Sequence, residues 1–291
     1  MKPLRIALIH ADNPHQYTRA VGFWSYEVPE FEVHHCGTKR DFTMRRSQFE
    51  GYDIILREDH ACYGEIINDA DIPLCYYVVD TPAMIEKYRL RCKVAVGCDL
   101  ILVEQDRLER FEHLGAEVRR FGYCINDRLY YDYGMEKSID IINYYIRRDQ
   151  PRNELNLWLL KFCRERGYSY QSGKRLRMDY PHGMNQARIT INLSYNENCR
   201  PHRIFDAMGT RSCVVTSTLP DVSGEYRKAG LHYEEFGFID WAGLAETIEH
   251  LLESGRWETI ANDAHEMVMK HHTWSVRAKE LRETFNEVFG I

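Results

Sequence analysis

Short apolar runs alternate with helical patterns along the first half of the chain. The apolar runs predict strands at 4–9, 32–35, 53–56, 74–79, 99–103 and 118–121. Helical spacing predicts helices at 82–91 and 105–114, and Gly115 follows the second one, where glycine commonly ends a helix. A strand–helix alternation of this kind indicates a mainly parallel sheet that is covered on both faces.

A second alternating series follows a polar, tyrosine-rich stretch at 126–137. Its apolar runs predict strands at 139–145, 189–193, 213–216 and 231–233. Its helical patterns cover 153–166, 201–210, 241–254, 257–271 and 275–288. We therefore expect two Rossmann-like α/β domains in tandem that face each other across a cleft, with a boundary near residue 133. Ligands of such sheets gather at the carboxyl ends of the strands.

Composition is consistent with a soluble, globular, two-domain protein. The chain has 291 residues, of which 44% are apolar and 28% charged. It contains no run of 18 apolar residues, so the sequence predicts no membrane-spanning helix, and its start is interpreted as a strand and not as a signal peptide. Nine scattered cysteines without a C-x-x-C pair favour a reducing cytoplasm over a disulfide framework or a zinc site.

The net charge of −6 gives no overall attraction to nucleic acid or to an anionic membrane. Three local basic clusters, at 39–46, 147–152 and 173–177, run against this balance. Each is either ordinary solvated surface or a patch for a phosphate-bearing partner.

The segment 200–217, RPHRIFDAMGTRSCVVTS, combines a helix with unusual charges. Pro201 suits the first turn of a helix, and Arg203 and Asp206 fall on one face of it, with Arg200 a turn above. A helix N-terminus with two arginines attracts an anion, and a carboxylate one turn further can accept hydrogen bonds from the diol of a ribose. A nucleoside diphosphate matches this pattern, but an intrahelical ion pair between Arg203 and Asp206 explains the spacing equally well.

This segment resembles the donor-site segment of group 1 glycosyltransferases, particularly the CgeB-like branch of the GT-B superfamily. The stretches at 75–123 and 271–285 resemble the family's N-terminal strand–helix series and its C-terminal helix, so the resemblance extends from about residue 74 onward. It implies an α/β GT-B fold with an N-terminal acceptor domain, a C-terminal donor domain and a last helix that packs back on the N-terminal domain. The expected boundaries are 1–132, 133–272 and 273–291.

The resemblance also implies roles for individual donor-site residues. Asp206 takes the position of the acid that binds the donor ribose, and Arg203 and Arg200 face the diphosphate. The sequence departs from the family pattern at three places: the acid is Asp and not Glu, Asn198 with Glu197 beside it replaces a second acid, and Arg211 replaces a glycine. Asn198 and Glu197 are therefore candidates for contacts with the donor sugar.

Further candidates are residues at strand ends or in loops. His10, Asp12 and Asp80 are possible general bases for an inverting reaction, because they follow predicted strands of the first domain. Each could equally be a turn or capping residue. His182, in a predicted loop, could border the donor nucleobase, and Thr216 could line the cleft or simply end its strand.

The sequence thus predicts a glycosyltransferase that moves a sugar from a nucleotide sugar, preferably a UDP-sugar, to an acceptor hydroxyl without a metal ion or another cofactor. One alternative is a viral-type DNA glycosyltransferase acting on hydroxymethylated bases, for which the basic clusters would contact phosphates. Another is a non-catalytic nucleotide-sugar binding protein. The expected location is the cytoplasm of a bacterial or virus-infected cell. No G-x-G-x-x-G follows the first strand, which argues against a dinucleotide-dependent oxidoreductase.

Overall fold

The structure, a computed structural model, divides into two compact units. It describes residues 2–11, 27–38, 42–58, 64–78, 91–103, 108–144, 150–173, 179–194, 202–219 and 227–291. The first unit contains Met1–Cys124 and Trp274–Ile291, and the second contains Ile125–Thr273. The division therefore falls at Cys124, on the N-terminal side of the boundary near 133 that the sequence suggests.

The first unit is built on a parallel sheet. Its strands are β1 (Leu4–Ala11), β2 (Phe31–Thr38), β3 (Thr43–Arg45), β4 (Ile54–Glu58), β5 (Glu65–Ile67), β6 (Leu74–Val78), β7 (Leu100–Val103) and β8 (Glu117–Arg120). Six of them form one sheet in the order β2-β1-β4-β6-β7-β8, and β3 pairs with β5. All of these pairings are parallel. The short, fully buried strands β4, β6 and β7 match the apolar runs from which they are predicted.

The last helix completes the core of the first unit. This helix, Trp274–Phe289, buries Trp274, Ala278, Leu281 and Phe285 completely. Ala278, Leu281 and Phe285 follow Trp274 by four, seven and eleven positions, a spacing that places all four residues on one face of the helix. They pack in the same cluster as apolar residues of β1, β4, β6 and β7.

The second unit contains a five-stranded parallel sheet in the order β10-β9-β11-β12-β13. Its strands are β9 (Ile139–Tyr144), β10 (Tyr170–Gly173), β11 (Ala187–Asn192), β12 (Cys213–Ser217) and β13 (Glu234–Phe236). Its helices are α1 (Gln150–Arg166), α2 (Asp179–Gln186), α3 (Arg203–Gly209), α4 (Trp241–Ser254) and α5 (Arg256–His271), and the last helix of the chain is α6. None of the helices in the described ranges is long and apolar enough to cross a membrane.

Three local predictions are wrong. The predicted helix at 105–114 is, in its described part, two short 3-10 helices, Leu108–Arg110 and Glu112–Leu114, although Gly115 does end the second in a left-handed conformation. The predicted strand at 231–233 is replaced by β13, Glu234–Phe236. His182 lies in helix α2 and not in a loop. The helix predicted at 201–210 is present as Arg203–Gly209, and Pro201 lies outside the described residues.

Candidate functional site

The carboxyl end of β11 carries a polar side chain towards one face of the second sheet. Ile189, Ile191 and Leu193 pack into the apolar cluster that contains α1 and α4. Because side chains alternate along a strand, Asn192 faces the opposite side. There its Nδ2 donates a hydrogen bond of 2.9 Å to Oγ1 of Thr216 on the neighbouring strand β12, and both side chains are fully buried.

Arg203, the first residue of α3, brings a positive charge to the same place. Its Nε donates to the Tyr180 hydroxyl at 2.9 Å, and its Nη1 lies 3.4 Å from Oδ1 of Asn192. The residue is only 6% exposed. No carboxylate among the described residues forms an ion pair with it. A guanidinium remains charged in proteins, so within the described part of the chain this buried cation is stabilised by neutral oxygens.

Asp206 lies one turn further along α3 and is 6% exposed. The intrahelical Arg203–Asp206 ion pair that the spacing also allows is not formed, because the polar contacts of Arg203 are those with Tyr180 and Asn192. Asp206 is thus a second buried ionisable residue on this short helix, separate from the contacts of Arg203. Its role as the ribose acceptor stays a prediction.

Two buried polar atoms lie close to the carboxyl ends of β9 and β11. Nδ2 of Asn143 and Oγ of Ser194 have no hydrogen-bond partner among the described residues, although the two residues are only 3% and 2% exposed. The backbone N–H of Ser194 donates to Oγ of Ser217 at 3.1 Å, which ties the end of β11 to the end of β12. Unsatisfied buried groups are uncommon in folded proteins, and a bound polar ligand is one way to satisfy them.

An aromatic cluster adjoins Arg203 through helix α2. The ring centroids of Tyr133 and His182 are 4.9 Å apart, and those of Tyr131 and Tyr133 are 4.1 Å apart. Burial raises the pKa of the Tyr133 phenol, whose hydroxyl donates to the Leu129 carbonyl at 2.9 Å. His182 is thus packed against the tyrosine-rich segment, two positions along α2 from Tyr180, the residue that contacts Arg203.

A separate cluster of polar and charged residues surrounds the C-terminus of α3. Nζ of Lys137 donates to the Thr210 carbonyl at 3.2 Å, and Nη1 of Arg211 lies 3.1 Å from Oδ2 of Asp132. Burial lowers the pKa of Lys137 to about 8, with a smaller contribution in the same direction from Arg211 and an opposing effect of Asp132. Burial likewise lowers the pKa of His265, which contacts the carbonyl of Gly209 at 2.9 Å.

In the first unit, His10 lies near the carboxyl end of β1 and is 2% exposed. Its ring lies 5.4 Å from that of His35, in an edge-to-face arrangement. Glu58, the last residue of the neighbouring strand β4, is also buried. The register pairs Ile9 with Arg57, which places His10 and Glu58 at adjacent positions of the two strands. A buried acidic residue therefore occupies the strand position next to one of the three predicted bases.

Several predicted site residues lie outside the described residues. These are Asp12, Asp80, Glu197, Asn198 and Arg200. Parts of the basic clusters at 39–46, 147–152 and 173–177 also lie outside them. Of the predicted residues that the structure describes, it brings Arg203 and Thr216 together through Asn192, and His182 close to Tyr180 along α2.

Sequence reasoning missed Tyr180 and Asn192, the two residues that hold Arg203. Asn192 could have been found, because it is the polar residue that ends the apolar run ITIN, and strand ends carry ligands in parallel sheets. Tyr180 was hidden because Pro181 and Gly183 follow it, and both residues normally argue against a helix.

Residues 164–283 match the model of the glycosyl transferase-like family. A search among curated protein sequences gives no match. Among solved structures, the sucrose-phosphate synthase of Thermosynechococcus elongatus aligns with a TM-score of 0.66 at 12% identity, covering 99% of this chain and 100% of that one. Anabaena Alr3699/HepE in complex with UDP and glucose has the same TM-score and identity, with 98% and 100% covered.

A glycosyltransferase from Rickettsia africae ESF-5 aligns with a TM-score of 0.60 at 9% identity, covering 99% of both chains. At such low identities these alignments concern the fold, which is the GT-B fold that the resemblance implies. The family match over residues 164–283 and the shared fold together support a glycosyltransferase.

Proposed function

We propose that the protein transfers a sugar from a nucleotide-sugar donor to an acceptor hydroxyl, and that the second unit binds the donor. The observation that carries this proposal is the buried Arg203, whose described partners, Tyr180 and Asn192, are neutral. A buried charge without a counter-charge is costly, so an anionic ligand would be strongly favoured at this position. A diphosphate suits it, because a guanidinium offers parallel N–H groups to two phosphate oxygens.

Arg203 would also act in the chemical step. The bond between the anomeric carbon of the sugar and a diphosphate oxygen breaks, and the acceptor oxygen forms the new bond to that carbon. Negative charge then grows on the departing nucleoside diphosphate. A fixed guanidinium within a buried site stabilises that charge. Because side chains supply the positive charge, we expect transfer to continue when divalent ions are chelated.

The acceptor must lose a proton during transfer. For an inverting reaction, His10, Asp12 and Asp80 remain the candidates for the general base. Of these three, His10 is the one that the structure describes, and it is buried near the carboxyl end of β1.

The first test is a binding panel of UDP, GDP, ADP, TDP and CMP with the corresponding sugar nucleotides, measured by thermal shift. A ligand at 100 times its dissociation constant should stabilise the protein by roughly 2.7 kcal/mol. UDP-glucose and UDP are the first probes, because HepE was determined with UDP and glucose and with UDP-glucose. A panel without any stabilising nucleotide would contradict the proposal.

Arg203→Ala tests the residue that carries the proposal. Loss of charged hydrogen bonds should weaken the affinity for the diphosphate about 10- to 100-fold in calorimetry. Arg203→Lys should recover only part of the loss, because an ammonium lacks the parallel N–H groups. Arg188→Ala is the matched control, since Arg188 lies on β11 but pairs with Asp140 at 2.7 Å. If the Arg203→Ala and Arg188→Ala proteins bound the diphosphate equally tightly, Arg203 would not be a donor-binding residue.

Turnover separates the transferase from a non-catalytic binding protein. A transferase supplied with its labelled donor releases free nucleoside diphosphate, slowly to water and faster when an acceptor is present. Tight donor binding without any donor cleavage, across a panel of sugar, protein and modified-DNA acceptors, would favour the binding protein.

A further inference from the structure

Thr216 does not present a free hydroxyl at the end of its strand. Its Oγ1 donates to the Ser217 carbonyl at 3.1 Å and accepts from Nδ2 of Asn192 at 2.9 Å. The amide of Asn192 is oriented by this bond, because its nitrogen faces Thr216 and its oxygen must then face the other way. That oxygen, Oδ1, is the atom that lies 3.4 Å from Nη1 of Arg203.

We propose that Thr216 is a positioning residue that acts through Asn192 to fix the Arg203 guanidinium before the donor diphosphate binds. The proposal rests on the donor role of Arg203 given above. Thr216 itself makes no contact with the ligand in this arrangement. The side chains of Thr216, Asn192 and Arg203 form one continuous series of hydrogen bonds that starts at the strand β12 and ends at helix α3.

Tyr180 holds the other edge of the guanidinium. It accepts from Nε at 2.9 Å, whereas Asn192 faces Nη1, so two of the five N–H groups are assigned within the protein. Contacts at two separate nitrogens define the plane of the group. Among the described residues no other partner binds the group, so three N–H groups remain to face a ligand in a fixed direction.

Such fixing affects binding because an arginine side chain has many rotamers. When the protein immobilises it during folding, less conformational entropy is lost at the moment of binding. A guanidinium already aimed at the diphosphate also needs no reorientation while charge develops on the leaving group. Loss of the Thr216 bond should therefore reduce affinity for the diphosphate specifically, without affecting contacts to the nucleoside.

The alternative is that Thr216 only connects two strands. The same sheet offers a matched case, since the hydroxyls of Thr190 and Ser212 lie 2.6 Å apart and also link β11 to the segment leading into β12. Thr190 is as buried as Thr216, and its hydroxyl bonds to Ser212 and not to a residue that contacts Arg203. Thr190→Val and Thr216→Val thus remove the same chemical group from the same sheet.

The experiment measures the affinities of UDP and of uridine by calorimetry for both valine variants and for Thr216→Ser. Should the binding panel select another base, the corresponding diphosphate and nucleoside are used. We expect Thr216→Val to weaken UDP binding about 3- to 10-fold, with uridine binding unchanged and Thr216→Ser close to the wild type. Thr190→Val should lower the melting temperature about as much as Thr216→Val does, but it should leave the affinities for UDP and uridine unchanged.

Two results would overturn the positioning role while the donor site stands. One is an equal loss of UDP and uridine affinity in Thr216→Val, and the other is wild-type UDP affinity in that variant when Arg203→Ala is impaired. If the wild type binds no nucleoside diphosphate, the proposed function itself fails. If Thr216→Val does not fold, Tyr180→Phe tests the other contact of Arg203. We expect it to weaken UDP binding and to leave uridine binding unchanged. An unchanged ratio of the two affinities would contradict the positioning of Arg203 by its partners.

Discussion

Arg211 adopts a left-handed backbone conformation, with φ of 52°, and its Nη1 lies 3.1 Å from Oδ2 of Asp132. The residue directly follows the cap of α3. Its N–H donates to the Met208 carbonyl at 3.1 Å, and the N–H of Ser212 donates to the Ala207 carbonyl at 3.0 Å. These two bonds form a Schellman motif, in which the left-handed position is usually glycine. The structure thus explains why the resemblance leads one to expect glycine at this position, and it shows that Arg211 adopts the left-handed conformation there.

Arg211→Gly and Arg211→Ala should separate backbone strain from the ion pair. Both remove the contact with Asp132, but alanine keeps the cost of a left-handed conformation, whereas glycine adopts it freely. We expect the glycine variant to be more stable than the alanine variant by about 1 kcal/mol in urea denaturation. The partly exposed ion pair adds at most about 1 kcal/mol to the wild type. An alanine variant as stable as the glycine variant would be inconsistent with this interpretation.

Lys137 should make the stability of the second unit depend on pH in the alkaline range. Its pKa is about 8 in the folded protein, against an ordinary value of 10.5, mainly because of burial. Between these values the unfolded chain binds more protons than the folded one, so the free energy of unfolding rises with pH across that window and levels off below it.

The comparison is between the wild type and Lys137→Met at pH 7 and pH 10. The wild type should gain stability relative to the variant on the order of 1–3 kcal/mol as the pH rises. Lys161→Met is the control, because it removes the same charged group from a largely exposed position. A difference in stability between wild type and Lys137→Met that is constant with pH would mean that Lys137 titrates as an ordinary lysine.

The sequence correctly predicts those strands and helices whose apolar residues follow a simple local pattern. Strands β4, β6 and β7 are buried apolar runs, and α6 repeats apolar residues at helical spacing, so the α/β GT-B class is predicted correctly. Helix α2 is not predicted, because it is short and contains Pro181 and Gly183. It is stabilised by the burial of Tyr180 and Met184. That kind of stabilisation comes from tertiary packing, which local propensity does not record.

The site is predictable to the same limited extent. Arg203 and Asp206 follow from their spacing and from the family resemblance, and both are buried on one helix. The partners of Arg203 come from a different helix and a different strand, Tyr180 and Asn192, so no local pattern links them to it. Position along a strand identifies a candidate such as Thr216, whereas the direction of its hydroxyl is decided by the neighbouring strand.

Gly183 should tolerate no side chain. A Cβ at this position would lie 2.8 Å from Cε2 of Tyr144 and closer still to its hydroxyl oxygen. We expect Gly183→Ala to cost about 1–3 kcal/mol of unfolding free energy through overpacking. Because α2 also carries Tyr180, the affinity for the diphosphate should fall as well.

The matched control for Gly183→Ala is Gln186→Ala, three positions later on the same helix, where the side chain is only partly buried. Addition of Tyr144→Phe to Gly183→Ala should recover part of the stability, since it removes the nearer of the two atoms. A fully stable Gly183→Ala protein with normal ligand affinity would show that the helix can shift without affecting Arg203.

Asp206 should determine whether the protein distinguishes ribose from deoxyribose. If its buried carboxylate accepts hydrogen bonds from the donor diol, the wild type should bind UDP about tenfold more tightly than 2′-deoxyuridine diphosphate. Asp206→Ala should weaken UDP binding by about 1–3 kcal/mol and bind the two nucleotides equally. Asp240→Ala serves as the control, because Asp240 caps α4 by accepting from the Gly243 N–H at 3.0 Å, and its loss should reduce stability only. A discrimination between the two nucleotides that survives in Asp206→Ala would assign the diol to another residue, and Asp206 would then be a structural acid of α3.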